Sequence, residues 1–209
     1  MKTATPQKRP GSEKSMKDKP VSNTATTAST PKIKNKIALI TGGDSGIGKA
    51  VAILFAKEGA DIAISYWKEH ADAKDTQAII RHKYGRECLL IPGDISKEST
   101  CKKVVAKTVK RFGHINILIN NAAIHYEANN MEKLSIKNMK RTFDVNIYSM
   151  FYITKFALPF MKKGSCIVNT SSVTAYRGSE SLIDYSATKG AIVSFTAVFL
   201  PAWYQRVSV

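Results

Sequence analysis

Ile37-Ala38-Leu39-Ile40-Thr41-Gly42-Gly43-Asp44-Ser45-Gly46-Ile47-Gly48 begins as a short apolar run and ends as a glycine-rich turn. The apolar run has the length and β-branched character of one strand buried on both faces. The turn leads into a helix-length segment over residues 49–58. A glycine-rich turn between strand and helix lets backbone amides and the positive end of the helix approach a pyrophosphate with no Cβ in the way. The plain alternative is a tight loop that only reverses the chain, and the strand-loop-helix context argues against it.

Outward from this stretch the same alternation repeats. Short apolar runs at 37–41, 61–66, 88–92, 115–120 and 165–171 read as strands, and helix-length segments lie between them. A βαβαβ series with right-handed crossovers predicts an α/β fold, a doubly wound parallel sheet with helices on both faces. No internal repeat is present in the sequence.

The 209 residues carry a formal charge of +16. Residues 1–36 hold nine Lys/Arg against Glu13 and Asp18, so nearly half the excess sits on a Pro- and Ser/Thr-rich segment with almost no large apolar residue. We read residues 1–35 as a disordered basic tail and 36–209 as one domain. A tail that contacts nucleic acid is a weaker reading, since it has no aromatic residues for base stacking. Neither a secretory h-region nor an Arg-rich amphipathic transit peptide is visible, which points to the cytoplasm. The longest apolar stretch, 190–203, is too short to span a bilayer and contains Pro201. Cys88, Cys101 and Cys166 show no metal-ligand spacing, and an odd number does not make a disulfide framework, so no metal is expected.

Five motifs together resemble the short-chain dehydrogenase/reductase family, whose Rossmann-like domain binds a nicotinamide dinucleotide. They are the Thr41-Gly42-x-x-x-Gly46-Ile47-Gly48 turn, Gly93-Asp94-Ile95 after the third strand, Asn120-Asn121-Ala122-Ala123 after the fourth, Asn146 in a helix, and Ser172 with Tyr185-x-x-x-Lys189. Alanine stands where the family has the glycine of NNAG. The resemblance covers residues 34–196 and, in its finer detail, a bacterial subgroup of poorly characterised oxidoreductases with a polar amino-terminal extension. It implies cofactor contacts from Gly42, Asp44, Ser45, Gly46, Ile47, Gly48, Tyr66, Asp94, Ile95, Asn121, Ala122, Ala123, Tyr185 and Lys189, with Asp94 set against the adenine. It implies a catalytic set of Asn146, Ser172, Tyr185 and Lys189.

The spacing of the last pair has its own physical reason. Residues four apart on a helix share a face. A phenol with an ordinary pKa near 10 is a poor acid or base at neutral pH, and an adjacent ammonium favours its phenolate. Tyr185 then protonates a carbonyl oxygen as hydride arrives, and Ser172 hydrogen-bonds the same oxygen. The resemblance adds that Lys189 holds ribose hydroxyls and that Asn146 keeps a water that relays protons to Lys189. Taken singly, each residue also has a structural explanation.

Cofactor choice stays open between NAD and NADP. The tip of the second strand offers Ser65, Tyr66, Trp67 and Lys68, and Glu69 falls past the strand end. The expected substrate is a small carbonyl compound or alcohol, and the resemblance implies a homo-oligomer. After Thr196 the chain departs from the family's pattern, Pro201 is expected to break the helix, and the family's sixth and seventh strands are missing. A one-base deletion near codon 197 would account for this, because the shifted reading of Ala197 to Val209 allows family-like residues. On that expectation the sheet keeps an exposed edge, and an inactive remnant that binds nucleotide without turnover is the alternative function. Of the segments that shape the substrate pocket, 124–130 and 173–182 remain.

Overall fold

The computed structural model describes residues 31–207, with side chains described through 198. Five parallel strands form one sheet in the order β3-β2-β1-β4-β5. They are β1 Ile37–Thr41, β2 Asp61–Tyr66, β3 Cys88–Pro92, β4 Ile117–Asn120 and β5 Cys166–Asn169. The helices are α1 Gly46–Lys57, α2 His70–Tyr84, α3 Glu98–Phe112, α4 Ile136–Phe143, α5 Ser149–Ala157, α6 Thr174–Arg177 and α7 Ile183–Val207.

Alternation along each strand sends successive side chains to opposite faces, and here both faces are covered. On one face Ala38, Ile40, Ile62 and Ile64 pack with Ala52, Ile53 and Ala56 of α1 and Ala73 and Ile80 of α2. On the other, Leu39, Ala63 and Leu118 pack with Val104 and Val105 of α3 and Ile153 and Ala157 of α5. Leu39, Ile40, Ile62, Ile64 and Leu118 are fully buried, and each contributes roughly 1.5–3 kcal/mol of transfer free energy. The doubly wound sheet expected from the sequence is the fold observed. The strand order reverses between β1 and β4, which opens a crevice at the carboxyl ends of those strands.

Several boundaries differ from expectation. The regular ladder of β4 starts at Ile117, because Ile115 donates its N–H to Phe160 and the Asn116 side chain takes the N–H of Ile37. β5 ends at Asn169, since Ser171 turns away and its hydroxyl donates to the Lys189 carbonyl. α1 begins at Gly46 rather than Lys49, so the last glycines of the turn belong to the helix. α7 continues through Pro201 to Val207. Proline's fixed φ is compatible with the helical path, although an interior proline removes one backbone donor and costs stability.

The expected basic tail lies outside the described residues except for its last few. Ile33 packs on the core, and Ile33 and Asn35 donate N–H groups to the Glu58 and Gly59 carbonyls at 3.2 and 3.0 Å. Residues 33–35, assigned to the tail by composition, are thus tied to the domain, because an apolar side chain there has a site to bury it. The outer edge of β5 has no strand partner among the described residues, and Val168 there is 47% exposed.

Candidate active site

Thr41 closes β1 and ties the glycine turn to β4. Its hydroxyl accepts the N–H groups of Asn121 and Ala122 at 2.9 and 3.0 Å, while the Asn121 amide donates to the Thr41 and Gly42 carbonyls at 3.0 and 3.3 Å. The turn is thus clasped against the Asn120–Ala123 segment before α1 begins. A Cβ on Gly48 would lie 1.9 Å from the Gly42 carbonyl oxygen, so only glycine fits this fold of the turn. Gly46 takes φ +53°, and nothing lies within 4 Å of where its Cβ would be. The turn therefore presents an open, side-chain-free cradle at a helix amino terminus, which suits a pyrophosphate.

Asp44, inside that turn, is buried. Burial pushes its carboxyl up to about 6, helped by the negative charges of Asp72 and Glu69 and opposed by hydrogen bonds from its own backbone and Ser45. Its main-chain oxygen accepts the Thr76 hydroxyl at 3.1 Å, pinning the turn to α2. Ile47 is 66% exposed beside the cradle, whereas Tyr66 is 6% exposed and packs in the core. The Tyr66 hydroxyl meets His70 Nδ1 at 2.9 Å, so Trp67 and Lys68, rather than the Tyr66 ring, form the accessible tip of β2.

Asp94 does not stand free. Its carboxylate accepts from Arg141 of α4 at 2.9 Å and from the Ser96 N–H at 3.1 Å, and Arg141 also binds the Ser96 hydroxyl. Burial alone would raise the Asp94 carboxyl, but the Arg141 and Ser96 hydrogen bonds prevail and hold it below the usual carboxylate value. The Arg141 guanidinium also lies 5.2 Å from the Trp67 ring. The surroundings of Asp94 thus draw on a residue of α4 that the motif gave no hint of. Ile95 is buried and joins the core.

The catalytic candidates come from three elements. α7 presents Tyr185 and Lys189, and Lys189 Nζ lies 5.4 Å from the Tyr185 ring and donates to the Thr170 carbonyl at 2.6 Å. Lys189 is 2% exposed, and burial lowers its ammonium to about 8. Ser172 sits beyond the end of β5, where its hydroxyl accepts the Thr174 N–H at 3.2 Å and meets the Thr174 hydroxyl at 3.1 Å. Asn146 lies in a single π-helical turn, Asp144–Tyr148, between α4 and α5. Such turns widen the helix and turn one side chain inward. Here the amide reaches Ile124 and the Thr188 hydroxyl, the latter at 3.1 Å.

Thr41, Ala122, Asn146, Thr170 and Lys189 wall one small cavity of about 10 Å³, with Asn120 and Ser149. That is the room one water requires. The Asn120 Oδ1 atom in its wall is buried without a hydrogen-bond partner. The cavity brings the glycine-turn residue Thr41 into the same enclosure as the Tyr185 helix. A separate hollow of about 370 Å³ opens at the other end of the sheet, lined by Arg81, Arg86, Arg111 and Glu87. Its arginines are held by the Cys88 carbonyl, Asp61 and Glu87, and it contains none of the candidate residues.

Sequence reasoning missed Thr41 as the clasp and Arg141 as the partner of Asp94, and it placed His125 only within the 124–130 substrate segment, without its contact to Tyr185. The His125 ring stands edge-on to Tyr185, with centroids 5.6 Å apart.

The family profile described as short chain dehydrogenase matches residues 36–209. The chain belongs to the short chain dehydrogenase family. Among curated relatives, the uncharacterized oxidoreductase YhdF of Bacillus subtilis is 50% identical over 189 residues, covering 90% of this chain and 65% of that protein. The chain therefore spans about two thirds of the length of that relative. Among solved short-chain dehydrogenases, one from Burkholderia cenocepacia in complex with NADP is 30% identical with a TM-score of 0.80, covering 84% of this chain and 71% of the other. An NADH-dependent reductase, A1-R′, complexed with NAD is 28% identical with a TM-score of 0.80, covering 85% and 76%. In this chain the clasped turn, Ser172 and Lys189 all lie beyond the carboxyl ends of the strands. No helix among the described residues is long and apolar enough to cross a membrane.

Proposed function

We propose that this chain is an NAD(P)-dependent oxidoreductase that interconverts a carbonyl group and a secondary alcohol, with Tyr185 as the acid/base. The observation that carries the reading is the shared enclosure of Thr41, Asn146 and Lys189, which sets the nucleotide cradle against the Tyr185 helix. The cradle fits a dinucleotide, since Gly46 leaves open space where any other residue would place a side chain.

The bound nicotinamide supplies or accepts the hydride. In the reduction direction Tyr185 gives its phenolic proton to the carbonyl oxygen, and the Ser172 hydroxyl donates a hydrogen bond to the same atom. The Lys189 ammonium, 5.4 Å from the Tyr185 ring, favours the phenolate left behind and holds the ribose hydroxyls. Asn146 fixes the floor on which a proton relay to Lys189 runs, and the one-water cavity between them supports that role. NAD and NADP both fit this reading, in keeping with the two cofactors held by the solved relatives.

A second reading, nucleotide binding without turnover, is favoured by the open surroundings of Ser172. Val173 is 61% and Tyr176 79% exposed there, and water at a hydride-transfer site works against the reaction. Titration of NADH and NADPH, followed by intrinsic fluorescence and thermal shift, tests the shared core of both readings. Saturable binding with a raised Tm is expected, and no binding of either cofactor would remove both. Turnover of a carbonyl substrate by the cofactor-loaded chain then separates the first reading from the second.

A further inference from the structure

On the oxidoreductase reading above, Lys189 serves Tyr185 through its charge, and a buried charge requires acceptors. The buried Lys189 ammonium donates to the Thr170 carbonyl at 2.6 Å. It has three donors, so that contact leaves two. The small cavity that Lys189 walls is also walled by Asn120, 8% exposed at the end of β4 and no member of the Asn146, Ser172, Tyr185 and Lys189 set.

The orientation of the Asn120 amide is fixed from α7 by a chain of hydrogen bonds. The Thr196 hydroxyl gives its single proton to the Ile192 carbonyl at 2.7 Å, so toward Asn169 it can only accept. Asn169 therefore turns its Nδ2 to Thr196, at 3.1 Å, and its Oδ1 to Asn120. Asn120 must answer that oxygen with its own Nδ2, at 2.9 Å, and the same nitrogen also donates to Thr154 at 3.1 Å. Both amide protons are then committed, and Asn120 Oδ1 is buried with no hydrogen-bond partner among the described residues. Native folds seldom leave a buried acceptor unpaired. The amide of Asn146, in the same wall, is already engaged by Ile124 and Thr188.

We infer that Asn120 is a positioning residue for Lys189: its Oδ1 accepts a hydrogen bond from a buried water in the cavity, and the oxygen of that water accepts one from the Lys189 ammonium. The enclosure, about 10 Å³, holds one water, so both polar groups share the same molecule. With this second acceptor the Lys189 charge persists to higher pH, and its support of Tyr185 persists with it.

The test compares Asn120→Leu, which keeps the volume and removes the acceptor, with Thr154→Val, which removes another contact of the same amide and leaves Oδ1 in place. The readout is the pH at which kcat for carbonyl reduction falls on the alkaline side. In N120L it should move down by about 1–2 pH units, the worth of one hydrogen bond to a charged group, with the Kd for NADPH below that limb unchanged. In T154V the limb should stay where it is in wild type although Tm falls, because the lost contact is structural. A limb that stays put in folded N120L, or moves equally in both variants, would overturn the inference.

A second readout requires neither a folded variant nor turnover. In a high-resolution crystal structure of the wild-type chain, one ordered water should lie within hydrogen-bond distance of both Asn120 Oδ1 and Lys189 Nζ. A dry cavity, or a water that reaches only one of the two, overturns the role of Asn120. Failure of the wild-type chain to bind NADPH would instead sink the oxidoreductase reading and leave the water site to be judged from the crystal, so the two failures are told apart.

Discussion

Asn146 grips Ile124 at both ends of one residue, accepting its N–H at 2.8 Å and donating to its carbonyl at 2.9 Å. The same amide donates to Thr188, whose hydroxyl in turn donates to the Tyr185 carbonyl at 2.7 Å. One buried side chain thereby couples the loop that carries His125 to the helix that carries Tyr185. Asn146→Ala should leave buried backbone groups of Ile124 without partners and destabilise the fold by about 2–4 kcal/mol. A urea titration against wild type measures this. A change below 0.5 kcal/mol or so, the usual range for a neutral surface substitution, would contradict the coupling.

Two glycines of the cradle should respond differently to alanine. Gly48→Ala brings a Cβ to 1.9 Å from the Gly42 oxygen, a clash with backbone that requires the turn to move. Gly46→Ala meets nothing within 4 Å and carries only the strain of φ +53°, about 1 kcal/mol. G48A is therefore expected to lower Tm by more than G46A. Both should weaken NAD(P)H binding, G46A because its methyl group fills the cradle. Equal Tm values for the two variants would count against the clasped geometry.

Stability should depend on pH through Asp44. Its folded value of about 6 lies above the ordinary 3.8, so the folded chain holds the extra proton between those values. The sign follows: Asp44 is tolerated best below 3.8, and stability is lost as pH rises through 6. Asp44→Asn removes the buried charge and should gain on wild type by up to about 3 kcal/mol at pH 8, with little gain at pH 4. Chemical denaturation at the two pH values checks it. A gain of the same size at both would mean that the carboxyl charge is not the cause.

Lys189 titrates in the opposite sense. Burial takes its ammonium from 10.5 to about 8, so the unfolded chain binds the extra proton between those values and stability rises with pH across that window. The charge that assists Tyr185 is present below about 8 and lost above it. The Kd for NADPH should therefore weaken above pH 8, and Lys189→Met should remove that dependence. A K189M chain with the wild-type pH profile would show that another group titrates.

Much of this was legible in the sequence because it is local. Continuous apolar runs mark strands covered on both faces, and the first three strands of the chain fall where the runs do, from Ile37, Asp61 and Cys88. A helical spacing of four put Tyr185 and Lys189 on one face. What escaped depends on contacts between distant positions. Asp94 meets Arg141 from 47 residues away, and Thr41 meets Asn121 and Ala122 from 80 and 81. The π-helical turn that turns Asn146 inward leaves no mark in hydropathy, and neither does the pairing of His125 with Tyr185. The start of β4 was misplaced because Ile115 is as buried as a strand residue while its N–H is taken by Phe160.

The most direct test of the central claim is the rate of NADPH oxidation by a saturating carbonyl substrate in Tyr185→Phe against wild type, with the Kd for NADPH measured on both. The account predicts a fall in kcat of about 10²–10⁴, the usual contribution of one positioned acid, with the Kd unchanged. Wild-type turnover in Y185F would contradict it.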